Sequence, residues 1–302
     1  MSYPSPHFDK LNALLENIKL PEGDQRRVKE AVEVYKRWHS DLTRLDKNKS
    51  KDFIGEMVDL LNKYKNYIDI DLIFDSEDDF LYRQKGQLKL DNSIIEEFLP
   101  HLVFPYLAEM PNLFVGPSTA YSSIYFSSNL YTDSVGGGLE IRTKDQDFAI
   151  TKQIYIKASH SSDFKDSISK DTFLAYVVAE CKTNLDKTMF QEACATAHDV
   201  KSAVTGAKYF LLCEWLDMTP ISTAPTDIDE VLILRKSKRL ASNIRKDFSN
   251  SKKRAEVRDK FIKHLKTNPL QPEMFKRFID HVIKLMRNDM PGEDDVIQRG
   301  YF

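Results

Sequence analysis

The chain has 302 residues, 41% hydrophobic and 30% charged, with a formal net charge of −2; this balance excludes disordered and fibrous classes and leaves one large domain or two small ones with ample material for a core. No run of about 18 apolar residues occurs, and the opening MSYPSPHFDK lacks a charged segment followed by an apolar one, so a cytoplasmic, unexported protein with no membrane partner is expected. Three cysteines in apolar settings (Cys181, Cys194, Cys213) suit a reducing compartment, and without C-x-x-C or H-x-x-x-H spacing they do not predict zinc.

Apolar positions recur at helical spacing in FDKLNALLENIKL, DQRRVKEAVEVYKRW and DFIGEMVDLLNKYKNYI, which predicts three packed helices up to about residue 67. The acidic stretch DIDLIFDSEDDF, with Asp75, Glu77, Asp78 and Asp79, reads as a solvated loop. LDNSIIEEFLPHLVFPYL sets Ser93 and Glu96 at capping-box spacing and predicts a helix that Pro100 and Pro105 limit or kink. The nearly uncharged GPSTAYSSIYFSSNLYTDSVGGG then reads as a long loop or irregular strands. Alternation from Phe148 to Ile156 predicts a half-buried strand, HSSDFKDSISKD a turn, and FLAYVVAECK a buried strand. A helix capped by Asp186 and ended by Gly206 follows, then the strands KYFLLCEW and EVLILRK, then further helices. Helices, strand, strand, helix, strand, strand, helices is the order of an α/β core, a mixed sheet flanked by helices, with helical N- and C-terminal extensions.

Charge is segregated. Between Arg235 and Lys266 thirteen Lys or Arg stand against three acids, a net +10, leaving −12 for the rest. Such a stretch is either the footprint of phosphate contacts or a solvated helix pair.

The strand FLAYVVAECK ends in Glu180, Cys181 and Lys182. Of three [D/E]-x-K tripeptides in the chain, only this one follows an apolar strand; Asp163 to Lys165 sits in a turn and Asp199 to Lys201 in a helix. If residues 148 to 158 and 172 to 182 form an antiparallel hairpin, Asp147 falls beside Glu180, because the midpoint of their numbers lies in the predicted turn. Two carboxylates and a lysine on one face at a sheet edge could hold Mg²⁺.

Asp, hairpin, Glu-x-Lys, helix and strand in this order resemble the PD-(D/E)XK nuclease superfamily. AECKTNLDKTMFQEA, KYFLLCEW and DMTPISTAPTDIDEVLILRK are similar to type II restriction endonucleases of the BbvCI and Bpu-ten-I kind, over roughly residues 90 to 270. The resemblance implies a nuclease core at 86–236 between a helical region at 1–85 and a basic helical one at 237–302. It implies a Mg²⁺-dependent, sequence-specific endonuclease subunit that cuts one strand of double-stranded DNA to leave a 5′-phosphate and a 3′-hydroxyl. Its site would be an asymmetric one of the CCTNAGC sort, read with a related second subunit (a heterodimer) or with a second copy of itself (a homodimer). Asp147, Glu180 and the Cys181 carbonyl would hold the metal, and Lys182 would hold or help deprotonate the attacking water. Gln191 and Glu97 would support the site, Glu96 being assigned to capping. Arg235, Lys236, Lys238, Arg239, Arg245, Lys246, Lys252, Lys253 and Arg254 would grip DNA phosphates, with the Ser/Tyr-rich 117–134 loop near DNA or at a protein interface. Gln146 rather than proline precedes Asp147, and 33 residues separate Asp147 from Glu180, so Asp145, Asp163 and Glu140 remain rivals for the first carboxylate. A non-catalytic DNA-binding subunit and a repair, recombination or RNA nuclease with the same core are the alternatives.

Overall fold

The helical periodicity of the first 67 residues produces three helices, α1 (Pro6–Leu15), α2 (Glu22–Arg44) and α3 (Phe53–Asn66). They pack through buried Leu11, Leu14, Val28, Met57 and Leu61, and Asp52 caps α3 by accepting the Gly55 N–H at 3.1 Å. The computed structural model describes residues 4–131, 134–287 and 293–300; parts of the predicted terminal regions and of the 117–134 loop lie outside these.

The acidic stretch is a solvated loop only in its second half, Asp75 to Asp79, where Glu77 and Asp78 are exposed. Its first half is helical. It continues α3 as a π-helical run, Tyr67–Phe74, with Ile68, Leu72, Ile73 and Phe74 buried, and leads to α4 (Phe80–Gln87). Two of the loop's acids are answered by the basic region: Asp75 accepts two guanidinium N–H groups of Arg258 at 2.7 and 2.6 Å, and Asp79 lies 3.3 Å from Arg254. α5 (Ser93–Leu107) runs through both prolines. Its predicted capping box is absent, because Ser93 lies inside the helix and bonds His7 at 3.1 Å, while Glu96 faces Lys10 at 3.6 Å.

Five strands follow in one sheet: β1 (Phe114–Phe126), β2 (Leu139–Ala158), β3 (Ile168–Leu185), β4 (Lys208–Leu216) and β5 (Glu230–Ile233). Spatial order equals chain order, antiparallel from β1 to β3 and parallel from β3 to β5. β1 occupies the first half of the stretch that reads as a long loop or irregular strands, and it is an irregular strand. Its alternation is broken by register shifts between Gly116 and Ser118 and between Tyr121 and Ser123, the first around Pro117, which has no N–H to give a ladder. Gly136 (φ 56°) folds the turn before β2 against the far end of the hairpin, where a Cβ would meet the Ala158 carbonyl oxygen at 2.5 Å.

Between β3 and β4 runs α6 (Lys187–Ala203), where Asp186 accepts the Met189 N–H at 2.9 Å. After β5 come α7 (Ser242–Arg245), α8 (Ser251–Thr267), α9 (Pro272–Arg287) and α10 (Glu293–Arg299). Strand alternation sends Val177, Ala179 and Cys181 into an apolar layer shared with α1 to α5 and α9, and Val178 into a second layer under α6. The result is the expected α/β architecture, a mixed sheet covered on both faces by helices. Among the described residues no helix is long and apolar enough to cross a membrane.

Candidate active site

β2 and β3 pair as Phe148 with Ala179, Ala149 with Val178 and Ile150 with Val177. One further step of this register sets Asp147 opposite Glu180, and the Asp147 Oδ2 accepts the backbone N–H of Cys181 at 2.9 Å. Lys182 Nζ lies 3.4 Å from Glu180 Oε2, with the two side chains only 27% and 15% exposed. Burial alone would lower the Lys182 pKa, but the Glu180 and Asp147 carboxylates outweigh it and hold the ammonium above the ordinary lysine value. Lys182 is therefore charged here, a donor rather than a base. The rival acids lie elsewhere: Asp163 is in the hairpin turn bonded to Ser161 and Lys165, Glu140 pairs with Lys170 at 2.8 Å, and Asp145 is exposed on β2.

α5 adds two groups that the sequence does not single out for the site. Asn92 Nδ2 donates to the Cys181 carbonyl and lies 3.5 Å from Glu96 Oε1. Burial first, then the Asp147 charge, pushes the Glu96 carboxyl up to about 7, which places Glu96 within electrostatic reach of the strand carboxylates. Glu97 turns the other way. It accepts the N–H groups of His7 at 2.9 Å and Phe8 at 3.2 Å and the Tyr35 hydroxyl at 2.5 Å, so it ties α1 and α2 to α5 and does not support the site. Two adjacent glutamates in an apolar helix read alike in sequence, and only the helical phase set by packing separates them. Gln191 is exposed on the first turns of α6 and makes no described contact with Asp147, Glu180 or Lys182. β4 supplies another group without a sequence signal, the fully buried Tyr209, whose phenol is pushed up by burial and by the Glu180 charge.

Glu97→Ala should lower stability by about 3 kcal/mol, since two buried donors and one half-buried one lose their acceptor. Glu96→Gln should melt near wild type. Thermal denaturation of the two variants side by side checks the assignment.

The basic segment divides in the same way. Arg235 and Arg254, expected to grip DNA, are each only 1% exposed. Arg235 bonds Glu214 at 3.0 Å, and Arg254 bonds the Phe74, Ser76, Asp78 and Phe248 carbonyls. They are structural, because a buried guanidinium surrounded by acceptors has no face left for a phosphate. Lys236 pairs with Glu273, Arg239 and Arg245 with Asp217, and Lys253 with Asp247. Lys238, Lys246 and Lys252 are exposed and have no acid partner among the described residues.

The donor set suits a hard divalent cation: the Asp147 and Glu180 carboxylates and the Cys181 carbonyl supply oxygen, with Glu96 close to Asp147. Glu96, raised by burial and then by the Asp147 charge, is a further acid that a cation there would favour in its charged form, although among the described residues no group of three or more His, Cys, Asp or Glu stands at metal-holding distances.

A family model described as Bpu10I restriction endonuclease matches residues 87–302. Among solved structures, the chain is similar to one described as the native BbvCI A2B2 tetramer at low resolution, with a TM-score of 0.61 and 20% identity over 81% of this chain and 88% of that one. At that identity the likeness is one of fold. No curated protein matches.

Proposed function

Because the chain belongs to the Bpu10I restriction endonuclease family and is thus a type II site-specific deoxyribonuclease, we propose that it is a Mg²⁺-dependent subunit of the PD-(D/E)XK type that cuts one strand of duplex DNA. The observation that carries this reading is the Asp147 carboxylate bonded to the Cys181 N–H, in the middle of Glu180-Cys181-Lys182 and beside the Glu180 side chain.

Asp147, Glu180 and the Cys181 carbonyl would hold the ion, which when bound supplies Lewis-acid neutralisation of the scissile phosphate. Lys182, kept as an ammonium, orients the attacking water by donating to it and offsets negative charge as the phosphorus gains its fifth oxygen. Asn92 fixes the direction of the Cys181 carbonyl from α5. Glu96 adds an acidic group from α5 within electrostatic reach of Asp147. Attack by water on phosphorus breaks the P–O3′ bond, so the phosphate stays on the 5′-oxygen of the downstream fragment and the departing 3′-oxygen takes up a proton to become a free 3′-hydroxyl.

A related second subunit is the preferred partner, in keeping with the A2B2 description of the similar structure; the DNA site would be asymmetric, of the CCTNAGC sort. Supercoiled plasmid incubated with Mg²⁺, alone and with the product of a neighbouring similar reading frame, should give fragments with fixed ends, and none in EDTA. No cleavage in any mixture, or cleavage from free ends or of RNA only, would overturn this reading.

A further inference from the structure

Lys182 also lines an open cleft of about 450 Å³ that runs from the end of β3 to α4 and the turn before α5. Its volume falls within the range of about 300–1,000 Å³ typical of sites that take a small ligand, enough for one nucleotide unit of a longer strand. Five cations line it: Arg83, Lys85, Lys89, Lys182 and Arg239. Three are already committed, Lys85 to Asp91 at 3.0 Å, Lys182 to Glu180 at 3.4 Å and Arg239 to Asp217 at 3.2 Å. The one acid in the cleft, Asp91, is held by Lys85 and by the Thr183 hydroxyl at 3.3 Å. Arg83 and Lys89 remain, exposed and in no ion pair among the described residues, with the Lys89 charge also felt by Glu96.

Their backbone setting fixes where these charges sit. Arg83 stands on α4, and Lys89 sits at φ 49° in the turn that joins α4 to α5, a conformation that L-residues other than Asn and Asp seldom adopt. A lysine thus stands where glycine would be unstrained, at the rim of a cleft that contains the candidate catalytic lysine. The N-terminal helices thereby contribute to a site whose other parts come from the sheet.

We propose that Arg83 and Lys89 bind a backbone phosphate of the DNA strand adjacent to the scissile one, so that α4 and the α4–α5 turn form one wall of the DNA channel. This rests on reading the Asp147–Glu180–Lys182 site as the nuclease centre. It also moves the phosphate grip from the buried arginines of the basic segment to a part of the chain whose overall charge gives no hint of it. A phosphodiester there carries one negative charge, is shared by the two cations and displaces the counterion it held.

The test compares wild type with Arg83→Gln/Lys89→Gly, in which glycine removes the charge and relieves the positive φ. Binding to a mixed-sequence duplex is measured over a range of salt concentrations, alongside plasmid cleavage at saturating and subsaturating protein. Loss of this one phosphate contact should flatten the logarithmic salt dependence by roughly one and weaken binding about tenfold at moderate salt. Cleavage at subsaturating protein should fall in step with binding, as expected when uniform binding is removed. Arg26→Gln/Lys29→Gln, the same charge change on the exposed side of α2, should leave the slope alone. An unchanged slope in the cleft variant, an equal change in the α2 variant, or a rate lost at saturation with binding intact would each overturn the proposal. A wild type that cleaves no plasmid would sink the nuclease reading separately, because the salt slopes are measured without cleavage.

Discussion

Glu180→Ala should lower plasmid cleavage by at least about 10³-fold, more than the 10- to 100-fold typical when only an outer partner of a metal ligand is lost. The same loss is expected for Asp147→Asn, and the two variants fail for separable reasons. Alanine at 180 removes an oxygen donor and frees Lys182 from its 3.4 Å partner. Asparagine at 147 keeps an oxygen able to accept the Cys181 N–H, now bonded at 2.9 Å, and so preserves the strand ends while deleting one negative charge. Asp147→Asn should therefore melt close to wild type, whereas Glu180→Ala takes a partner from Lys182 and from the buried Tyr209 phenol and should melt a few degrees lower. Both variants should lose Mg²⁺ binding in a calorimetric titration of the protein without DNA. Cleavage within about tenfold of wild type by either variant would remove that carboxylate from the metal site; Asp145 and Glu140 would then be the next substitutions to make.

The pairing of Asp147 with Glu180 was within reach of arithmetic on residue numbers, but it depends on a detail that arithmetic does not supply. From Ala158 to Thr151 the hairpin pairs in a register that, carried through, would set Asp147 opposite Ala179. Between Val177 and Ala175 an extra residue, Tyr176, bulges out of β3 and shifts the remaining pairs by one. The bulge is what aligns the two carboxylates, since a one-residue slip exchanges the faces of every side chain beyond it. The buried strands and α6 were legible because apolar runs and caps are local signals. β1 was legible only as a loop or irregular strands, because an edge strand made of Ser, Thr and Tyr and interrupted by Pro117 carries neither alternation nor charge contrast. The choice between Glu96 and Glu97 was invisible for a related reason: both are buried on α5, and only tertiary packing turns one toward Asp147 and the other toward His7. Charge segregation misled in the opposite direction. The +10 segment includes the guanidinium groups that answer Asp75, Asp79 and Glu214 from distant parts of the chain.

Arg235→Ala should destabilise the protein by about 3–5 kcal/mol, the usual cost of stranding a buried charge, and should leave the salt dependence of DNA binding by the folded protein unchanged. Arg235 belongs to a four-membered ionic cluster at the junction of α3, β4 and the end of β5. Lys65 contacts Asp69 at 2.6 Å and Glu214 at 3.1 Å, and Arg235 contacts Glu214 at 3.0 Å. Two cations balance two anions, with every side chain between 0% and 6% exposed. Removing Arg235 leaves two carboxylates facing one ammonium in a place that water does not reach. It also takes a donor from the Asn268 carbonyl at 2.8 Å and a cation from above the Trp215 ring at 4.8 Å. Against a total stability of about 5–15 kcal/mol, the melting temperature should drop by roughly 10 °C. Arg235→Met/Glu214→Met restores charge balance by removing one ion of each sign and should recover most of the loss, because apolar side chains of similar volume replace a buried pair at little cost. Lys238→Ala, on the exposed side of the same segment, should change the melting temperature little. If instead Arg235→Ala melts like wild type and binds DNA with a flatter salt dependence, the guanidinium must leave its cluster to meet a phosphate, and the basic segment regains the role its charge first suggested.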